Sequence, residues 1–391
     1  MVSKKQSIFI VIILLVFVVG CIVTGEGGMS AGPARSATVT VVPSAAAADL
    51  PATSSPFFTL QPEPPTLAAS PTSTMILTPT ATEVVFEVGK ELTIGYLRNL
   101  EITGSEITFE EELERRPNYR QYIASYISED NKIYGLLTIP TGEPPEGGFK
   151  AIVFNHGYIP PAAYRTTERY TAYVDYLARS GFVVFKIDYR GHGQSQGQPS
   201  GSYFSPGYTI DSIAALKSLQ TLDIVDPQGI GMWGHSMAGN LVLRAMLIEP
   251  DIKAGVIWAG AVYSYDDFEK YRIDDNSYRP PATAENQETP DPRRRSREII
   301  ETYGRPNTQT AYWKAVSLTE NIAYLNSPIQ IHHAQDDTVV NIGYSFDLAV
   351  ILKENGKEYE FYTYEGGGHN LISPYFEQAM QRTVEFFRNN L

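Results

Sequence analysis

Gly229-Ile230-Gly231-Met232-Trp233-Gly234-His235-Ser236-Met237-Ala238-Gly239-Asn240 is an apolar run that enters a turn of small residues and leaves it as a helix, with a serine at the corner. A serine hydroxyl stands exposed at such a corner only if strand and helix approach closely, so the residues two positions to either side must be small. Gly234 meets that demand; Ala238 stands where glycine is usual, and Gly239 follows it. The stretch reads as a nucleophile elbow with Ser236 as candidate nucleophile.

The flanks of the elbow repeat the alternation of β-rich and amphipathic segments expected of a mostly parallel sheet with helices on both faces, an α/β fold. Eight strands are expected, at 122–128, 132–139, 151–155, 182–188, 229–233, 254–258, 329–333 and 358–364. Helices are expected at 167–179, 209–221, 237–248, 342–354 and 374–389, and the first two strands form a hairpin across Glu129-Asp130-Asn131. Between Tyr263 and Leu325 the alternation breaks into a segment rich in Tyr, Arg and Pro, a small cap-like insertion over the sheet's C-terminal edge, where sites of α/β proteins lie. Its Tyr263, Tyr265, Phe268 and Trp313 either line a pocket or belong to a core. Arg293-Arg294-Arg295 reads as a solvated charge run rather than a grip on carboxylates or lipid headgroups.

A nucleophilic serine needs a base, and in a fold with this elbow the chain order is serine, acid, histidine. Of the six histidines, His156, His192 and His235 precede Ser236, and His332 and His333 sit on an expected strand before the candidate acid. His369, in Tyr364-Glu365-Gly366-Gly367-Gly368-His369-Asn370, alone satisfies the order, and its glycines let the backbone carry the imidazole toward the serine. Ile331-His332-His333-Ala334-Gln335-Asp336-Asp337 places two aspartates at a strand end. Adjacent side chains point different ways, so one of them orients the histidine, and spacing from the strand end favours Asp336 over Asp337.

The oxyanion of an acyl-transfer reaction needs two backbone donors. The amide after the nucleophile, Met237, is one; Phe154-Asn155-His156-Gly157-Tyr158 follows an early strand, and the Tyr158 amide is the expected second. Asp188-Tyr189-Arg190-Gly191-His192-Gly193-Gln194-Ser195 offers acid, base and hydroxyl together, but reads as a loop braced by its own polar groups, because the chemistry is supplied elsewhere. No metal is implied, since His332 and His333 on one strand face opposite sides, and no glycine-rich phosphate loop or other cofactor signature is present.

Together His156-Gly157, Asp188-Tyr189-Arg190-Gly191, Gly234-His235-Ser236, Asp336-Asp337-Thr338-Val339 and Gly368-His369 resemble the catalytic domain of the prolyl oligopeptidase family of serine peptidases, within the α/β-hydrolase superfamily. The resemblance implies that the first aspartate of the pair, Asp336, is the triad acid, and that peptide bonds are the substrate class. The chain departs from the family in Ala238, in His333 where glycine is usual, in Val340 where proline often follows, and in having too little sequence ahead of the hydrolase for a β-propeller. The competing expectations are an extracytoplasmic carboxylesterase or polysaccharide deacylase, and a non-catalytic binding protein on a hydrolase scaffold.

The N-terminal end has a different character. Lys4 and Lys5 precede an apolar run from Ile8 to Val19, too short for a membrane span, and then Gly20 and the sole cysteine, Cys21. Val18-Val19-Gly20-Cys21 resembles the bacterial lipobox, which implies a signal peptide over 1–20 and a lipid anchor on Cys21, outside the cytoplasm. Residues 21–82 are rich in Ala, Ser, Thr and Pro and read as a disordered tether, with the hydrolase domain over 83–391. With one thiol, no disulfide framework exists. The formal net charge of -13, more negative once Lys4 and Lys5 are removed, argues against nucleic acid as a partner; the expected partners are a small peptide or ester substrate and the membrane.

Overall fold

The computed structural model describes residues 86–271 and 292–391. The expected signal, Cys21 and the tether lie outside the described residues, and no described helix is long and apolar enough to cross a membrane. Nine strands form one sheet: β1 (Thr108–Glu112), β2 (Tyr119–Ser128), β3 (Asn131–Pro140), β4 (Phe149–Asn155), β5 (Val183–Ile187), β6 (Val225–His235), β7 (Gly255–Trp258), β8 (Ile329–Ala334) and β9 (Tyr359–Tyr364), in the order β1-β2-β3-β5-β4-β6-β7-β8-β9. β1 to β3 pair antiparallel and β3 meets β5 antiparallel; from β5 to β9 every pairing is parallel.

The ninth strand, absent from the sequence expectation, is β1, which is Thr-Phe-Glu-Glu-Glu and exposed throughout. It has no apolar face to bury and is held by backbone pairing to β2, across a bulge between Phe109 and Glu111.

Apolar residues alternate between the two faces of the inner strands. In β4, Ala151 and Val153 face one cluster, which includes Ile213, Leu216, Leu241, Leu348 and Leu352 of the helices α3 (Gly207–Leu219), α4 (Met237–Ile248) and α8 (Gly343–Glu354). Ile152 and Phe154 face the other, with Leu177, Val384 and Phe387 of α2 (Thr171–Arg179) and α9 (Tyr375–Asn390). At roughly 1.5–3 kcal/mol for each buried large aliphatic or aromatic side chain, these two layers dominate the favourable side of folding.

The register brings the C-terminal strand ends together: Asn155 lies beside Gly234, His235 beside Trp258, and Trp258 beside His332. The loops that leave those ends carry Gly157, Ser236, Asp336, Asp337 and His369. Because β4 is followed in space by β5 on one side and β6 on the other, the chain changes direction there, which is where α/β sheets open a crevice.

The described part of the 263–325 insertion contains α5 (Asp267–Lys270), α6 (Pro292–Tyr303) and α7 (Ala311–Val316). It packs against the start of the domain: Ile299, Tyr312, Trp313 and Val316 form a third core with Leu92 and Tyr265, next to the short helix α1 (Ile94–Arg98). Arg295 binds Glu91 and Glu298, so this member of the arginine run ties α6 to the N-terminal segment.

Candidate active site

Ser236 sits between β6 and α4 with φ 56° and ψ -122°, a conformation that costs a non-glycine residue on the order of 1–3 kcal/mol and persists only where neighbours impose it. The Ser236 amide donates to the Trp258 carbonyl at 2.9 Å, and the Ser236 carbonyl accepts from Gly239 at 2.9 Å. A Cβ on Gly234 would come within 2.6 Å of the Ala238 carbonyl oxygen, so the close approach required by the sequence is present. Ala238 itself is fully buried, and its methyl replaces glycine without opening the turn.

His369 lies in the loop after β9. Gly367 and Gly368 adopt φ of 107° and 59°, and the His369 ring comes to rest 4.5 Å, centre to centre, from the ring of His235, the residue before Ser236. The two candidates drawn from distant parts of the chain are thereby brought to one corner of the sheet.

The structure places Asp337 rather than the expected Asp336 against the candidate base. His369 Nδ1 donates to Asp337 Oδ2 at 2.8 Å, whereas Asp336 is exposed and its Oδ1 accepts the Gly368 amide at 2.8 Å. The chain turns sharply after β8: Asp337 Oδ1 accepts the amides of Val339 and Val340 at 2.8 and 3.0 Å, which rotates this carboxylate inward and leaves Asp336 outside, clasping the glycine loop. Asp337 therefore holds the position expected of Asp336.

His333, which stands where the resembled family usually has glycine, backs this aspartate. Its ring is fully buried, and its Nε2 lies 3.0 Å from the Val340 carbonyl and 3.2 Å from Asp337 Oδ2. A carbonyl only accepts, so Nε2 carries the proton and Nδ1 accepts from the Ser345 hydroxyl at 2.7 Å. Burial alone would raise the Asp337 pKa, but the hydrogen bonds from His333 and His369 outweigh it and hold the carboxyl well below its usual range. An ionised Asp337 fixes the His369 tautomer with Nδ1 protonated, so that Nε2 is the basic nitrogen.

Of the two expected oxyanion donors, Met237 opens α4, where the first amides of a helix have no partner within it. Tyr158 is partly exposed in the loop after β4. The neighbouring Gly157 amide is engaged, donating to the Tyr170 hydroxyl at 2.9 Å.

The 188–195 loop is braced as its polar groups suggested. Asp188 accepts from Tyr164 and Thr166 at 2.7 and 2.6 Å, and its carboxyl is pushed up to about 6 by burial. Arg190 pairs with buried Asp211 at 2.7 Å and with Glu129 at 2.8 Å, while Ser195 accepts the Tyr134 amide. Tyr263, Tyr265 and Trp313 are buried core residues rather than pocket walls. His332 bonds Tyr364 and Gln330 on the opposite side of β8 from His333.

The sequence profile of the family described as serine aminopeptidase, S33, matches residues 149–374. The chain belongs to that family. It is a serine hydrolase of the α/β-hydrolase fold. The matched S33 family is not the prolyl oligopeptidase family that the motifs resemble; the fold is what the two share. The human protein ABHD12B is 25% identical over 217 residues, 53% of this chain and 51% of that protein. The chain spans about half the length, or less, of the curated relatives it matches. Acetyl xylan esterase 1 from Thermoanaerobacterium sp. JW/SL YS485 superposes with a TM-score of 0.53 at 15% identity, covering 77% of this chain and 94% of the esterase. The acylaminoacyl peptidase of Pyrococcus horikoshii gives 0.53 at 18% identity, covering 70% of this chain and 42% of the peptidase. At these identities the two structures speak for the fold.

Proposed function

We propose that this S33-family chain is an extracytoplasmic hydrolase, anchored by lipid on Cys21, that cleaves peptide bonds by acyl transfer through Ser236, His369 and Asp337. The observation that carries the reading is the 2.8 Å bond from His369 Nδ1 to buried Asp337, with the His369 ring against the strained elbow. In the first step His369 Nε2 takes the Ser236 proton while Oγ attacks the carbonyl carbon. The amides of Tyr158 and Met237 hold the resulting oxyanion, and His369 returns the proton to the leaving amine. Water then enters by the same route and releases the acid, restoring Ser236. The serine aminopeptidase family and the prolyl oligopeptidase-like motifs support a peptide substrate.

A carboxylesterase or polysaccharide deacylase is the second reading, supported by the near-complete coverage of an acetyl xylan esterase against less than half of a peptidase. The test is fluorophosphonate labelling of the protein and of Ser236→Ala, followed by aminoacyl amides against short-chain aryl esters. Labelling that depends on Ser236 is expected; its absence would remove the enzyme mechanism. Ester turnover without amide turnover would move the assignment to the second reading.

A further inference from the structure

A line of side chains runs beneath the elbow. Gly157 donates to the Tyr170 hydroxyl at 2.9 Å, Tyr170 lies 2.7 Å from His235 Nδ1, and His235 Nε2 lies 2.8 Å from the His369 carbonyl. For a neutral imidazole only one arrangement of protons satisfies all three contacts. The His369 carbonyl accepts, so His235 carries its proton on Nε2; the Gly157 amide donates, so the phenol oxygen receives it and the phenol proton goes to Nδ1. The imidazole must be neutral for this, and burial, followed by the neighbouring His369, lowers its pKa to about 3.

Four distant segments meet in this chain, and its ends are the oxyanion loop and the backbone of the base. We propose that Tyr170 and His235 are positioning residues that hold those two loops in register about Ser236, a role that rests on the acyl-transfer reading above.

The surroundings over-determine the line. A Cβ on Gly157 would approach the Tyr170 oxygen to 2.7 Å and the His235 carbonyl oxygen to 3.1 Å, so the loop is seated directly on the pair. Arg169 and Tyr170 both take positive φ, 53° and 54°, two successive strained residues at the entry to α2. The carbonyls of Glu168 and Arg169 are held by the ammonium of buried Lys186 at 2.8 and 3.3 Å, which fixes the turn that aims Tyr170 inward. The Tyr170 ring is confined by Phe154 and Trp233, 5.6 and 6.2 Å away. Strain of this kind survives where a defined geometry is needed, and an oxyanion donor or base displaced by a fraction of an ångström is one such need.

Tyr170→Phe, His235→Gln and the double variant test the pair. Each single change is expected to lower kcat about 10- to 100-fold with KM within about threefold, the pattern of lost transition-state positioning. Because both act through one chain, the double variant should be no worse than the worse single, whereas independent structural roles would multiply. Deuterium exchange in peptides covering 156–159 and 366–372 should quicken in all three proteins while Tm stays within a few degrees. Unchanged kcat in Tyr170→Phe, multiplicative losses, or unchanged exchange at 366–372 would each overturn the proposal. If the unaltered protein shows no Ser236-dependent labelling, the acyl-transfer reading fails, and the exchange measurement still decides whether the pair holds the loops.

Discussion

Asp336 and Asp337 are neighbours with opposite environments, one exposed at a loop backbone and the other buried against two imidazoles. If Asp337 orients His369, Asp337→Asn should lower kcat by about 10³- to 10⁴-fold, the cost of leaving the base in the wrong tautomer. Asp336→Asn keeps an oxygen for the Gly368 amide and should stay within about tenfold, the scale of one weakened hydrogen bond. Steady-state kinetics of the two variants on one substrate decide the matter, and the larger loss at Asp336 would reverse the assignment. Ser236 and His369 were legible as candidates because elbow chemistry and chain order constrain them. The acid was not, because both aspartates follow the same strand end and the choice depends on a one-residue rotation. The signal was local: an Asp whose carboxylate caps the amides two and three residues on forms a turn that aims it inward, and Asp337-Thr338-Val339-Val340 is that turn. Tyr170 and His235 were missed as partners because their contacts join segments far apart in sequence, and His333 because its bonds to Asp337, Val340 and Ser345 depend on how the chain turns back after β8.

Among the elements, the junction of α4 with β7 is a tight constraint on the site. A Cβ on Gly239 would meet the Gly260 Cα at 2.6 Å and Ile257 Cγ2 at 2.9 Å, both parts of the fold that do not yield. Gly239→Ala should therefore push α4 from β7 and destabilise by about 1–3 kcal/mol, read as a lower urea midpoint at unchanged slope. Ala238→Gly, which restores the usual residue, should instead cost about 0.5–1 kcal/mol through chain entropy in a helix, because the Ala238 methyl is already accommodated. A stability gain in the second variant would mean the methyl is strained after all. The eight strands with an apolar face were readable in the sequence, and α4 begins and ends where the pattern placed it. β1 was not, since three glutamates on an edge carry no periodicity, and β6 starts earlier than its apolar run because Val225 pairs with Phe149 of β4 ahead of a register shift that takes in Asp226-Pro227-Gln228.

Across the whole molecule, five of the six histidines are buried, and burial lowers the pKa of four of them, His156, His192, His235 and His332, below the ordinary 6.5, to about 3 for His235. As pH falls through 6.5 the unfolded chain binds protons at these positions and the folded chain does not, so stability is full above 6.5 and declines below it. Each such histidine contributes a slope of up to about 1.4 kcal/mol per pH unit. Two aspartates among the described residues act in the opposite sense, because burial pushes Asp188 and Asp267 up to about 6. Between about 6 and 3.8 the folded chain holds protons on them that the unfolded chain lacks, offsetting part of the histidine loss. Below 3.8 that compensation ends, and Asp337, whose carboxyl is held low, adds its own loss as the unfolded chain protonates it. The urea midpoint is therefore expected to begin falling between pH 7 and 6, to keep falling from 6 to 4 at about half the slope that four histidines alone would give, and to collapse below 4. His235→Gln removes one neutral buried imidazole and should flatten the first part of that curve. A midpoint constant or rising from pH 7 to 5 would show that the buried histidines are not the acid-labile elements of this fold.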